Sequence, residues 1–423
     1  SDLVRVELIN FYGRDTGEGR IKIAAAYASD ANASSPTSGT VLVLPDSKET
    51  IDIEVIKFFA KRGFNVLMVD YRGESEGCNH FTRYPENIYY ANTAKCGRRK
   101  DYVDDSADKT CWFEWVGVGL YAAKYIRERT GNDNIAVVGI RDGGETAWKL
   151  GVADKFKCIV PVCAAGWRAY NGISKYSAAD IELDNERYRF IAGVDSQAYA
   201  PYVCCPVLML CSTNDFDFDY DRAYDTFSRI NPQYLGESVI AYSLRYSASI
   251  GANSVNDMFL FLNKHLKNHQ VFVPKPAEVT VEVDEDSNLI ARVTVDTHGV
   301  VDKCDVFLAE DCQNSALRDW GICAPKDELK REYFLNIYEK SATIFVLCRV
   351  RYFNGFTVWS KVAVKKISGK FRNMQKKCNV LCSGNKAVDA FSIADPFSCA
   401  VGGIFLAEED ALPAIVTKAK GVK

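Results

Sequence analysis

Up to about residue 275, short apolar runs rich in β-branched residues alternate with segments of helical period. That alternation restricts the fold more than any other feature. The runs fall at 40–44, 65–70, 134–139, 158–163, 207–211 and 238–242, and helical patterns occupy 51–62, 114–128, 144–155, 219–230 and 255–267. Each run is apolar almost without interruption, as strands buried on both faces are. Strand–helix alternation then implies an α/β fold: a doubly wound, mainly parallel sheet. Two earlier segments, 4–10 and 21–27, alternate apolar and polar residues with no helix between them. They predict an antiparallel pair at the sheet edge.

The pattern changes after residue 270. Pro274 and Pro276 mark 271–276 as an extended linker, since proline cannot continue a helix and biases its predecessor to extended backbone. Beyond it, 278–283, 289–296, 304–309, 334–338, 343–352 and 357–364 read as strands separated by turn residues. This is the pattern of an immunoglobulin-like β-sandwich over 277–367. The tail, 368–423, carries strand-like pieces at 379–382, 390–393 and 402–406. It is too short to bury a core of its own, and reads as part of a larger β-domain or as strands completing a neighbouring sheet. The expected organisation is an α/β domain over 1–270, the linker, the sandwich and this β-rich tail.

Charge and cysteine content exclude several classes. Lys plus Arg is 52 and Asp plus Glu is 55, a formal charge of −3, which lacks the basic surplus of a nucleic-acid binder. No apolar run approaches the roughly 20 residues that cross a bilayer, so no membrane partner is expected. The 423 residues include fifteen cysteines and four histidines. They form no CxxC pair and no Cys/His set with zinc spacing, so neither a metal nor a cofactor is expected. Buried thiols fit a reducing compartment. With no signal peptide visible in the first ten residues, the expected location is the cytoplasm. The sequon at Asn32 is a chance-level match.

Three segments carry a family resemblance. The run 40–44 leads into Pro45, Asp46 and Ser47 and then a helix. The stretch from Gly63 to Gly73 includes Asp70, Tyr71 and Arg72. The stretch from Asn134 to Gly144 places Gly139, Ile140, Arg141, Asp142 and Gly143 between a strand and a helix. In order and spacing these resemble the α/β-hydrolase superfamily over about residues 3–270. Within it they look closest to the acetyl xylan esterase and dienelactone hydrolase branch. The resemblance implies an α/β-hydrolase fold, a G-x-S-x-G nucleophile elbow, a triad acid after the next-to-last strand and a histidine after the last.

The implied triad is degenerate. The nucleophile position holds Arg141, a permanent cation that cannot attack an acyl carbon. Asp142 reads as a loop carboxylate beside it rather than a shifted nucleophile. The stretch 243–253, where the histidine belongs, contains none. His80 lies in the loop after the Asp70 strand and is the one relocated base to consider. His265 and His269 suit the C-terminal end of the last helix as cations, and His298 falls in the sandwich. Asp215 occupies the acid position, and with no histidine to orient, its natural partner is Arg141. Asp215, Asp217, Asp219, Asp221 and Asp225 form an acidic run. It lacks the glycine and glutamate of a calcium loop and reads as N-terminal carboxylates of a helix starting near Asp219. The long loop 73–110, with Tyr84, Tyr89, Tyr90, Arg98, Arg99 and Lys100 before Trp112 and Trp115, either shapes a pocket or packs upon itself.

These readings converge on a pocket at the C-terminal edge of the sheet, ringed by Asp46, Ser47, Tyr71, Arg72, Arg141, Asp142 and Asp215. The expected function is that of an α/β-hydrolase-fold protein without serine catalysis. It would bind a small molecule, anionic or carbohydrate, through this pocket and its β-domains. The alternative is an active esterase or deacetylase on carbohydrate-like substrates with a non-standard constellation.

Overall fold

The computed structural model describes residues 4–30, 39–93, 100–103, 105–176, 182–329 and 331–375. The sequon at Asn32, Arg98, Arg99 and the strand-like pieces beyond residue 376 lie outside the described residues.

The apolar runs form one sheet. Its strands are β1 (Val4–Asp15), β2 (Arg20–Asp30), β3 (Thr40–Leu44), β4 (Asn65–Val69), β5 (Ile135–Ile140), β6 (Cys158–Val162), β7 (Leu208–Ser212) and β8 (Val239–Ser243), in the order β1-β2-β4-β3-β5-β6-β7-β8. β1 and β2 pair antiparallel at the edge, β2 joins β4 antiparallel, and every later pairing is parallel. All residues of β3 to β8 are buried, as strands covered on both faces must be.

Helix α1 (Ile53–Ala60) starts where the Asp52 carboxylate accepts from the Glu54 amide. α2 (Cys111–Thr130) stops at Gly131, whose φ of 69° provides the left-handed cap. α3 (Asp142–Ala153) packs against α2, β5 and β6. α4 (Asn185–Gly193) has no counterpart in the sequence reading, and α5 (Tyr220–Phe227) is capped by Asp219. α6 (Ala252–Lys267) closes the unit and meets α1 through Phe259 against Phe58 and Phe59.

The sandwich has two antiparallel sheets. β9 (Glu278–Val283), β10 (Leu289–Thr294), β13 (Ala324–Pro325) and β14 (Glu332–Phe334) make one, in the order β13-β14-β10-β9. β11 (Val301–Glu310), β12 (Gly321–Ile322), β15 (Thr343–Tyr352) and β16 (Thr357–Trp359) make the other, with β17 (Ala363–Lys366) also on β15. The single strand expected at 357–364 is therefore two. Arg349 faces Trp359 and Val346 faces Ala363, so the register slips by one residue between them. Ser360 holds the bulge: its amide donates to the Cys348 carbonyl at 2.9 Å and its hydroxyl accepts from the Cys348 amide at 2.9 Å.

The sandwich is locked to the α/β unit by Arg318. Its Nη1 and Nη2 reach the two carboxylate oxygens of Asp221, on α5, at 2.8 Å each. Nη1 also donates to the Tyr220 hydroxyl at 2.7 Å and Nε to the Cys312 carbonyl at 3.1 Å, while the guanidinium lies 3.7 Å from the Phe345 ring centroid. Both charged side chains are wholly buried, where a pair is tolerated only if the remaining donors are satisfied. The Thr357 amide donates to Asp257 on α6 at 2.8 Å and Ser315 to Asp219 at 2.7 Å, so the lock has neighbours. Removing one partner strands the other. Arg318→Ala is expected to cost about 3–5 kcal/mol in urea unfolding monitored by fluorescence. The paired change Arg318→Met with Asp221→Leu is expected to recover most of that loss. Equal losses in the two variants would show that the ion pair is not the lock.

Candidate functional site

The site is built on a steric constraint. α3 begins directly at the end of β5 and lies so close to β3 that side chains are excluded. A Cβ on Gly139 would stand 2.2 Å from the Gly143 carbonyl oxygen, and one on Gly143 would stand 2.1 Å from the Leu44 oxygen. Both obstacles are backbone, which cannot rotate away. Turning from strand to helix in so little chain forces the residue between them into unusual backbone geometry, and Arg141 has φ 52° and ψ −112°. For a long side chain, such a conformation costs about 1–3 kcal/mol.

Arg141 recovers this through charge. Its Nη1 lies 3.4 Å from Asp215, its Nε lies 3.5 Å from Asp46, and its Nη2 is bonded to Asp217. Phe218 lies beneath the guanidinium at 5.3 Å. Burial opposes the cation, but Asp215 and the other carboxylates outweigh it and hold the proton firmly. Burial raises the Asp215 pKa above the usual carboxylate range, with Arg141 opposing. Asp215 also accepts from the amides of Asp217 at 2.9 Å and Phe218 at 3.3 Å. The Arg141–Asp215 contact was legible from motif positions. The contributions of Asp46 and Asp217 were not, because three carboxylates converge on one cation only once the loops after β3 and β7 meet.

Asp142 requires a correction. It is not a loop carboxylate beside Arg141 but the first residue of α3, it is buried, and it faces a different set of partners. Its carboxylate accepts from Ser47 and Lys100 through Oδ2 and from Arg168 through Oδ1, the last at 2.9 Å. Burial opposes ionisation here, yet the charges of Arg168 and Lys100 prevail and hold the carboxyl well below its usual range. Ser47 also accepts from Lys100 Nζ at 2.8 Å.

The other ring residues close the floor. Tyr71 donates to the Pro45 carbonyl, and Arg72 Nη1 donates to the Lys48 carbonyl at 2.9 Å. Asp46, Ser47, Tyr71, Arg72, Asp142 and Asp215 are each under 10% exposed. The seven residues expected to ring a pocket are thus bonded into a nearly closed floor. A cleft of about 110 Å³ lies beside it, lined by Trp167, Tyr170, Phe216, Asp215, Asp217 and Asp219 among others, with residues 314–316 of the sandwich as its far wall.

The histidines have other positions. His80 Nε2 lies 2.9 Å from the Ala25 carbonyl, on β2, and is tethered there. His265 is not the capping cation expected. It is mostly buried against Phe261, with ring centroids 4.4 Å apart, and burial lowers its pKa to about 4. Lys264 and Lys267 are the basic side chains beside it in that last turn, and the latter donates to the Arg62 carbonyl at 2.7 Å. His298 pairs with Asp296 at 2.7 Å in the sandwich. A thiol the sequence did not single out for the site, Cys163, lies 3.2 Å from the Ser212 hydroxyl, and burial pushes it up to about 12.

The acidic run is divided among tasks. Asp215 and Asp217 hold Arg141, Asp219 caps α5, Asp221 holds Arg318, and Asp225 pairs with Lys175 at 2.6 Å.

Beneath α3 lies a second buried network. Glu145 accepts from the Gly166 amide at 2.9 Å and from Ser196, and Lys149 lies 3.3 Å from the Ser196 hydroxyl. Asp195 accepts from the Trp167 amide at 2.8 Å through one oxygen, while the other has no partner. Burial, helped by the charge of Glu145, pushes Asp195 up to about 7. A carboxyl raised in the folded state binds a proton there that it has lost in the unfolded chain. Its stabilising contribution is therefore complete below about pH 4 and fades as pH rises to about 7. Asp195→Asn is expected to raise the thermal midpoint at pH 8, with the gain vanishing toward pH 4. A gain that grew on acidification would contradict this.

No family model matches the chain, and no curated protein matches it. Among solved structures it is similar to an acetyl xylan esterase from Paenibacillus sp. R4, at 15% identity and a TM-score of 0.45 over 62% of this chain and 89% of that one. It is also similar to a Pyrococcus furiosus esterase, at 12% identity and a TM-score of 0.37 over 56% and 82%. A third is an alpha/beta hydrolase from Penicillium, at 12% and 0.43 over 62% and 99%. The strand order, the antiparallel β2 and the strand–elbow–helix turn at Arg141 give the N-terminal unit the α/β-hydrolase fold.

Proposed function

We propose that this α/β-hydrolase-fold protein has lost serine-type hydrolysis and acts by binding. The observation that carries the reading is Arg141, set at the elbow and held by Asp46, Asp215 and Asp217. The guanidinium fills the space in which a nucleophile, a base and an acyl group would have to meet. The loop between β8 and α6 offers no histidine, and the raised Cys163 thiol is no nucleophile at neutral pH. Three carboxylates about one cation also disfavour an anionic ligand at the elbow. The adjoining cleft, with Trp167, Tyr170 and Phe216 beside Asp217 and Asp219, suits a polyhydroxylated ligand of carbohydrate type. Aromatic faces meet its C–H surface, and the carboxylates accept from its hydroxyls.

A second reading rests on Ser47, whose hydroxyl donates to Asp142 and accepts from Lys100 at 2.8 Å. This is a serine–lysine–aspartate contact at the sheet edge. It would support ester hydrolysis only if a base took the Ser47 proton. Asp142, held far below its usual range, is a weak base, and Lys100 can serve as one only as the neutral amine.

One experiment separates the readings. Incubation with a serine-directed phosphonate, followed by peptide mass spectrometry and a short-chain ester assay, is expected to give no adduct and no turnover. A stoichiometric adduct at Ser47 would establish the second reading. Arg141→Ser is expected to leave ester turnover at the parent level, because no histidine receives the proton. It is also expected to lower stability by about 3 kcal/mol as Asp215 loses its cation. Turnover well above the parent would reveal a base, with His80 the first to replace.

A further inference from the structure

The junction between the α/β unit and the sandwich holds another cavity, of about 150 Å³, lined by Asn253, Lys303, Asp305, Arg349, Arg351 and Thr357. Strand register builds it. Lys303 faces Arg351 and Asp305 faces Arg349 across β11 and β15, and Arg351 faces Thr357 across β15 and β16. Residues two apart on a strand share a face, so these five side chains project together toward the start of α6. Asn253 is the second residue of that helix. Its N-cap is Gly251, no side chain caps it, and its first turn has no acidic residue.

Two cations directly opposite on neighbouring strands repel, and the local carboxylates do not fully compensate. Asp305 accepts from Arg349 at 2.7 Å and lies 3.3 Å from Lys303, and Asp302 accepts from Arg351 Nε at 2.7 Å. Three cations thus share two carboxylates. Asp257 accepts from the Thr357 amide at 2.8 Å, but burial raises its pKa well above the usual range and favours its neutral form. The independent sign is Thr357 itself. The residue is 2% exposed, it lines the cavity, and its hydroxyl has no hydrogen-bond partner. A buried hydroxyl left unpaired is costly, and a ligand acceptor would satisfy it.

We propose that this cavity binds a tetrahedral oxyanion, as inorganic phosphate or as the phosphate group of a small ligand. Lys303 and Arg351 supply charge, and Arg351 adds the planar fork that matches phosphate oxygens. The first-turn amides of α6 supply neutral donors at the positive end of its dipole. Thr357 supplies the hydroxyl. At about 30 Å³ of liquid per water, the cavity takes a phosphate group and a few waters but leaves the rest of a larger ligand outside. This site is separate from the elbow and from the cleft beside it.

The test is titration calorimetry on the full chain at fixed ionic strength, with inorganic phosphate, methyl phosphate and chloride as separate arms. Phosphate is expected to bind above the chloride background. Binding of methyl phosphate with similar affinity would identify a phosphoryl group carried by a larger ligand, and its exclusion would identify the free ion. Lys303→Gln with Arg351→Gln is expected to weaken binding at least tenfold. Both side chains are about half exposed, so the variant folds, and relief of their repulsion leaves its thermal midpoint in chloride unchanged or higher. Thr357→Val is expected to weaken binding several-fold. If that buried change impairs folding, the double variant alone decides. No binding of either phosphate, or equal binding by parent and double variant, would overturn the proposal.

Discussion

The structure of the α/β unit depends on a close approach of backbones. Helix α3 lies against the ends of β3 and β5, where Gly139 and Gly143 leave no room for a Cβ. The approach fixes the sharp turn at Arg141, and the turn places its side chain over the C-terminal edge of the sheet. A serine there would stand free. An arginine is long enough to reach the loops that follow β3 and β7, and it gathers a carboxylate from the first and two from the second. The backbone strain persists because the surrounding charges over-determine the conformation. The same chain of causes that would expose a nucleophile here builds an ionic plug.

A second buried arginine organises the other half. Arg141 and Arg318 together take three of the five carboxylates in the run from Asp215 to Asp225. Asp219 stands between them, capping α5 and receiving Ser315 from the sandwich. One acidic segment therefore ties the elbow, the helix that follows β7 and the sandwich into a continuous structure. The cleft beside the elbow is in part a consequence, since the loop before Asp219 and residues 314–316 form two of its walls, and the segment from Trp167 to Ser174 forms the third. Asn214, next to Asp215, donates to the carbonyls of Ala316 and Arg318 at 3.0 Å each. The sandwich is part of the wall of the candidate site rather than an appendage.

The sheet was legible because its signal is local. Uninterrupted apolar runs such as Val41 to Leu44 have few alternatives to a strand covered on both faces. The helices α1, α2, α3, α5 and α6 were legible to within a few residues for the same reason. α4 was not, since Asn185–Gly193 buries only Phe190 and carries little periodicity. The one-residue bulge at Ser360 was invisible, because only the pairing with the partner strand reveals the slip. At the site, the elbow and the Arg141–Asp215 contact followed from motif position. Lys100 and Arg168 could not be assigned to Asp142 from sequence, because they approach it from loops 42 and 26 residues away. His265 misled because a histidine in a last turn is ordinarily a solvated cation, whereas here Phe261 covers it.

The distribution of charge also resolves where an anion can go. Sequence alone predicted a pocket at the elbow for an anionic or carbohydrate molecule. At Arg141, though, three carboxylates meet one guanidinium, and an arriving anion would have to displace a charge already desolvated and bonded. At the junction the ratio is reversed: Lys303, Arg349 and Arg351 share Asp302 and Asp305, and the adjoining Asp257 is biased to its neutral form. A buried pair exchanges its partner only at the full cost of stranding the old one, whereas a half-exposed cation facing another cation gains a counter-charge without stranding a buried partner. The same residue types thus close one site and open the other, and the difference lies in how many carboxylates the fold brings to each.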